Sequence, residues 1–236
     1  MKLLGVVCFG EPRPGFVQLA DVLGPYPNRS YRNNPVGQPG HDFVTDEPPR
    51  TPLLYVHGGE CSINPRHLID IDGPPTDALD WTFFRWHHIP LYQVGMRKLQ
   101  NFGTTSGVSD IDCCDLCSDL YDDSKVTGWD HYDPGTDDGI VWAARKVNGV
   151  WVVVNRGSKT PQDFWRDVQG WYVTLPKLGP IEAGFARGSS QQAFEVATLV
   201  GDDPVLFTGH SLGAARGQIQ AGYAVTHAYP VVAHRD

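Results

Sequence analysis

The chain has 236 residues, of which 41% are apolar and 19% charged, with a formal net charge of −8 and a pI near 5.5. That is the composition of a folded domain with one sizeable core, and it excludes a disordered chain. No Lys/Arg cluster offers a phosphate-binding surface, which argues against nucleic acid as a partner, and no run of about 18 apolar residues offers a transmembrane segment.

The start, MKLLGVVCFG, mimics a secretory signal. Its apolar run is short, breaks at Gly10-Glu11-Pro12 and lacks a small-x-small cleavage site. A strand over 3–9 fits better: the run is apolar without alternation, as in a strand buried on both faces. A soluble chain, cytoplasmic or released, is therefore expected. A helix follows over 15–23 and stops at Gly24-Pro25. Residues 25–52, dense in Pro, Asn, Gly and Asp, read as loop. A short strand is predicted over 53–56, irregular chain over 63–80, and a helix over 89–99 with Pro90 in its first turn. The stretch NFGTTSG, 101–107, is the most linker-like in the chain.

A helix is predicted over 110–122, carrying Cys113, Cys114 and Cys117. They include a C-x-x-C pair, but no second pair stands at zinc spacing, so reduced thiols and no metal site are expected. Five cysteines in a chain this size do not suggest a disulfide framework. Residues 140–147 and 150–155 flank Asn148-Gly149, the strongest short-range hairpin signal. Pro161 opens a predicted helix towards Gly170, a longer helix is read over 184–200, and a strand over 205–207 leads to a helix over 212–224. Strand and helix alternate, so the class is α/β.

Gly209-His210-Ser211-Leu212-Gly213 lies between that last strand and helix. A G-x-S-x-G turn in this context lifts a serine above the sheet, and glycines on both sides relieve the crowding. The bland alternative is a glycine-lined turn with an ordinary serine.

Other segments give the turn a context. VVVNRGSKTPQDFWRDV places Arg156-Gly157-Ser158 after a strand, with Asp163 and Asp167 following. This resembles the class 3 lipase family, whose pattern is R-G-[ST]-x-[ST]-x-x-D-x-x-x-D. IEAGF, 181–185, resembles the family's x-G-F segment, and G-H-S-L-G comes third, as in the family. The family's next segment, FGxPRxG, is missing after Ser211 but present in VVCFGEPRPGF at the start of the chain. Asp42-Phe43-Val44 before Pro48-Pro49, YVHGGE at 55–60 and RWHHIPLY at 85–92 then continue the family order. Residues 1–100 thus resemble the family's C-terminal half and 101–236 its N-terminal half. The order implied is a circular permutation of one domain spanning 1–236. Residues 3–9 are then expected to pair in parallel beside 205–207.

The resemblance implies an α/β-hydrolase fold: a mostly parallel central sheet with helices on both faces. It implies a lipase or esterase working through an acyl-serine intermediate, without cofactor or metal. Ser211 is the nucleophile it implies and Asp42 the orienting acid, whose bland reading is a loop cap. The closing segment offers His87 and His88 as the base, with His87 at the spacing from Tyr92 found in many members. His57 matches a family histidine that is not catalytic. The backbone N–H of Leu212 and the Ser158 hydroxyl and N–H are the implied oxyanion hole, though Ser158 also reads as a helix cap. Residues 159–171 match the family's lid, so Phe164, Trp165 and Trp171 either face lipid or pack in the core. Asn155, Arg216 and Gln218 depart from the family, at positions usually aromatic, small or apolar. The partner implied is a lipid or small ester, with contact at a lipid interface. Two other readings stay open: a non-catalytic lipid- or partner-binding module, and an amidase or peptidase with the same triad.

Overall fold

The structure is a computed structural model, and it describes residues 1–10, 17–33, 69–72, 87, 89–99, 103–135, 141–158 and 171–226. Its strands are β1 (Lys2–Phe9), β2 (Asn28–Asn33), β3 (Ile69–Ile71), β4 (Thr104–Thr105), β5 (Val108–Ser109), β6 (His131–Asp133), β7 (Trp142–Val147), β8 (Val150–Asn155), β9 (Tyr172–Leu175), β10 (Gly179–Glu182) and β11 (Pro204–His210). Its helices are α1 (Val17–Leu23), α2 (Ile89–Lys98), α3 (Asp110–Tyr121), α4 (Ala183–Ala186), α5 (Ser189–Val200) and α6 (Leu212–Thr226), with a 3₁₀ turn at Asp123–Gly128.

Seven strands form one sheet in the order β3-β2-β1-β11-β8-β7-β6. Neighbours from β3 to β8 pair in parallel, and β7 runs antiparallel between β8 and β6. This is an α/β architecture with a mostly parallel sheet. The expected pairing of the chain's beginning with its later half is there: Leu3 lies opposite Val205 and Phe9 opposite His210. Strands of both halves therefore share one hydrogen-bonded sheet. Asp236 lies outside the described residues, so the separation expected between the chain ends does too.

The two sheet faces carry separate cores. On one side Val6, Cys8, Val153, Val205 and Phe207 pack under α1, α4, α5 and α6. On the other, Val7, Phe9, Val152, Val154 and Leu206 pack under α2 and α3. Strand side chains alternate between faces, so a run such as VVVN at 152–155 feeds both layers at once. Each fully buried Phe or Val contributes about 1.5–3 kcal/mol of burial. Helix α6 is buried on every side from Leu212 to Ala224, which explains its small residues and lack of an exposed polar face.

The polar residues in this buried region have partners across the fold. Asn155 binds Gln220 reciprocally, at 2.9 and 3.0 Å, and accepts from Gln192 Nε2 at 2.7 Å. The Asn155 amide thus closes a three-residue polar network between β8, α5 and α6. Gln218 donates to the Cys8 sulfur at 3.7 Å.

Several expectations need correction. Residues 28–33, read as loop, form β2. Their polar sequence hides a strand because the partner that lets Arg29 be half-buried lies far along the chain: Asp110, fully buried, takes Arg29 Nε at 2.5 Å and a second nitrogen at 2.6 Å. Tyr31 donates to the same carboxylate at 2.6 Å. A buried charge is tolerated only when paired and hydrogen-bonded in this way. The short strand Ile69–Ile71 lies within chain read as irregular. The linker-like stretch instead carries a tight hairpin, with Thr105 opposite Val108 and Ser106-Gly107 at the turn. The single helix read over 184–200 is two, α4 and α5, broken where Gly188 takes a φ of 68°. The hairpin of β9 and β10 and the edge strand β6 carried no signal recognised in the sequence. The strand expected at 53–56 and the helix after Pro161 lie outside the described residues.

The other elements are where they were expected. Trp142 to Asn155 is a hairpin with Val147 opposite Val150, a two-residue turn over Asn148-Gly149. Helix α3 opens with Ser109 capping the Asp112 amide, and Asp112 reaching back to the Ser109 N–H. No helix among the described residues is long and apolar enough to cross a membrane.

Candidate active site

Strand β11 ends at His210, Ser211 turns the chain, and α6 starts at Leu212. Ser211 is a buried residue with a φ of 59°, in the left-handed region that L-residues avoid at about 1–2 kcal/mol. Hydrogen bonds and close packing hold it there. Its N–H donates to the Phe9 carbonyl at 2.9 Å, and its own carbonyl accepts from the Ala214 N–H at 2.9 Å. A side chain on Gly209 would run into the Gly213 backbone, and one on Gly213 into the Asn155 carbonyl. The two glycines let the strand and helix cross closely enough to make the turn.

The Asn155 contact also places the end of β8 beside Ser211. A Cβ on Gly157 would sit 2.8 Å from the Ser211 Cβ and 2.6 Å from the His210 carbonyl oxygen. Arg156-Gly157-Ser158 therefore leaves its strand directly against the serine turn, and Ser158 is half-buried one residue on. Leu212 opens α6, so its N–H is one of the first-turn amides that have no acceptor within the helix. Gly157, next to Ser158 in the chain, and Leu212 thus flank the Ser211 turn from two elements.

His87 joins them. It is buried just before α2, and its ring lies 4.6 Å from the His210 ring at 31°. The His87 carbonyl is 2.6 Å from His210 Nε2. Tyr92, five residues on, packs edge-on to His210 at 5.6 Å and accepts the Asn33 N–H at 3.3 Å. The His87-Tyr92 spacing thus puts both residues around the histidine next to Ser211. Asp42, His88 and His57 lie outside the described residues. Asp42 follows β2 in the sequence, and β2 runs parallel to β1 and in the same direction as β11. Ligand crevices of parallel sheets form at the carboxyl ends of the strands, where Ser211 and Arg156-Gly157-Ser158 stand.

Two residues that the sequence did not single out complete this region. His210 is the variable position of the G-x-S-x-G pattern, and its ring reaches back over the sheet end. Tyr121, the last residue of α3, places its hydroxyl 3.0 Å from His210 Nδ1 and accepts the Gly157 N–H at 3.0 Å. Burial, with the neighbouring Cys117 second, pushes the Tyr121 phenol well above its ordinary range, so it stays protonated. A histidine inside the glycine turn was a legible signal; nothing local marks Tyr121.

Cys8, Cys113, Cys114 and Cys117 are buried. Burial pushes the Cys117 thiol up to about 12, with Thr208 opposing, and raises Cys113 and Cys114 as well. All three stay thiols near neutral pH, whereas the thiolate is the reactive form. No group of three His, Cys, Asp or Glu side chains among the described residues could hold a metal ion.

Trp171, at 60% exposure, Tyr172 and Val173 stand out from the surface, so Trp171 is not a core residue. Phe164 and Trp165 lie outside the described residues.

No protein-family model matches the chain, and no curated protein matches it. Among solved structures, a Rhizomucor miehei lipase propeptide complex, a deletion mutant of that lipase, is similar at 16% identity with a TM-score of 0.36. The match covers 48% of this chain and 44% of that one.

Proposed function

We propose that this chain is a serine hydrolase of carboxylic esters, a lipase or esterase with an α/β-hydrolase fold in permuted order. The observation that carries the reading is Ser211: a buried serine at positive φ, between two close-packed glycines, at the carboxyl end of a central parallel strand. Such strain persists only where the surroundings hold it, and it clusters at functional sites. The sequence resemblance to class 3 lipases supports the same assignment.

In this reading Ser211 attacks the ester carbonyl and forms an acyl-serine. A free hydroxyl is a weak nucleophile, so an imidazole takes its proton and a carboxylate orients the imidazole. His87, its ring 4.6 Å from that of His210 beside the serine turn, is the base, with His88 its neighbour in sequence, and Asp42 is the acid. The developing oxyanion is met by the Leu212 N–H and by Ser158, on the strand end packed against Ser211. No cofactor is required. The exposed Trp171, Tyr172 and Val173 support contact with an apolar or lipid surface.

A fluorophosphonate probe should label Ser211 alone, and the protein should hydrolyse short p-nitrophenyl esters. His87→Ala should abolish turnover, and His88→Ala should reduce it less. A folded protein that neither takes the label nor cleaves the ester is not a serine hydrolase. Turnover lost in His88→Ala and kept in His87→Ala moves the base by one residue.

A further inference from the structure

We infer that His210 and Tyr121 are positioning residues of this site: a directed chain of hydrogen bonds through them ties the Gly157 backbone to that of His87. The inference rests on the hydrolase reading above.

The direction follows from elementary chemistry. The His87 carbonyl only accepts, so His210 Nε2, 2.6 Å away, must carry the hydrogen. A neutral imidazole has one N–H, so Nδ1 is the acceptor. The Tyr121 hydroxyl, 3.0 Å from Nδ1, therefore donates to it. Its oxygen in turn accepts the Gly157 N–H at 3.0 Å. The chain runs Gly157 N–H to Tyr121 O–H to His210 Nδ1, then His210 Nε2–H to the His87 carbonyl. Every donor meets an acceptor. The high phenol pKa of Tyr121 keeps its end of the chain protonated.

The placement gives the chain its consequence. His210 is bonded directly to Ser211, and its ring grips the backbone of the proposed base. Tyr121 grips Gly157, whose Cα faces Ser211 and whose neighbour is Ser158. Nucleophile, base and oxyanion strand come from β11, the chain before α2, and β8, three segments remote in sequence. These three bonds link all of them without touching the reacting atoms. Small displacements of reacting groups are costly in rate, whereas ground-state binding of ester barely senses them.

The two nitrogens can be tested apart. In His210→Gln the amide nitrogen replaces Nε2 and still reaches the His87 carbonyl. In His210→Asn the amide oxygen replaces Nδ1 and still accepts from Tyr121, but the His87 carbonyl loses its donor. With the purified full chain and a short p-nitrophenyl ester, His210→Asn should lower kcat by about 10²-fold with KM unchanged. His210→Gln should recover most of that loss, and Tyr121→Phe should fall between them. In the wild-type protein, ¹⁵N NMR of the His210 imidazole should show a bare Nδ1 and a protonated Nε2. A folded His210→Asn protein with wild-type kcat overturns the inference, and so does a protonated Nδ1 in the wild type. If His210→Asn does not fold, a His210→Gln protein no more active than His210→Leu overturns it instead. Fluorophosphonate labelling separates the two readings. A labelled wild type with indifferent variants ends this inference alone, and an unlabelled, inactive wild type ends both.

Discussion

Asn148 and Ser211 hold nearly the same left-handed backbone, with φ of 50° and 59°, for opposite reasons. Asn148 is exposed in a two-residue hairpin turn beside Gly149, and a Cβ on Gly149 would touch nothing within 4 Å. Asparagine tolerates this region and glycine prefers it, so the local sequence is enough. Ser211 is buried, and the whole fold bears on it: Phe9 from β1, the Asn155 end of β8, and the first turn of α6. A third turn, Ser106-Gly107, stands between them. Its backbone resembles the hairpin at Asn148, with φ of 49° and 84°, and Asn148 Nδ2 donates to the Gly107 carbonyl at 2.8 Å. Yet its strands start beside Gly103, where a Cβ would run into Arg29 and Asp110. Positive φ alone therefore says little about function; what holds it in place is the informative part.

Breaking the serine turn chemically should give the largest effect. Ser211→Ala is expected to lower kcat by about 10⁴- to 10⁶-fold while leaving the circular dichroism spectrum unchanged, since triad members act as a unit. Wild-type turnover in a folded Ser211→Ala protein would remove the turn from the chemistry and leave it only a turn.

Breaking the brace of the Ser106 hairpin comes second. Asp110→Ala should cost about 3–5 kcal/mol in urea unfolding, because the half-buried Arg29 would keep its charge without its partner and Tyr31 would lose its acceptor. Bonding to Asp110 outweighs the burial of Arg29 and holds its pKa above the ordinary value, and the Tyr31 phenol is raised first by burial and then by Asp110. A cost below about 1 kcal/mol would mean that the pair behaves like a surface ion pair. The same brace bears on a circular permutation of this chain. Joining Asp236 to Met1 and reopening at Gly103 would cut the chain beside this pair, so a cut at Gly107 should leave the more stable protein.

Packing around the serine turn comes third. In an open helix Gly213→Ala would gain about 1 kcal/mol of helix propensity. Here the new methyl meets the Asn155 carbonyl, and overpacking of that kind costs about 1–3 kcal/mol. The collision should win, and a Gly213→Ala protein with a higher melting temperature would show that the crossing can relax.

The smallest effects separate the two turns most cleanly. Ser211→Gly relieves the left-handed strain and should be more stable than Ser211→Ala by about 1 kcal/mol, though both are inactive. Gly149→Ala should lose about 1 kcal/mol through backbone strain alone, with full activity retained. Equal stabilities for Ser211→Gly and Ser211→Ala would mean that the serine turn stores no strain.

The sequence determined whatever short-range chemistry decides. The apolar runs at 3–9 and 150–155 became buried central strands, Asn148-Gly149 became a two-residue turn, and Ser109 with Asp112 capped α3. The glycines around Ser211 marked the turn correctly, because close crossing of a strand and a helix needs small residues wherever it occurs. Other features belonged to the tertiary structure alone. Asn28–Asn33 is a strand only because Asp110, brought near by folding, neutralises Arg29 and binds Tyr31. Asn155 is tolerated in the core only because Gln192 and Gln220 arrive from two helices. Tyr121 reaches His210 across 89 positions of sequence. In each case a polar group is buried, and its environment is set by a partner that no local window contains.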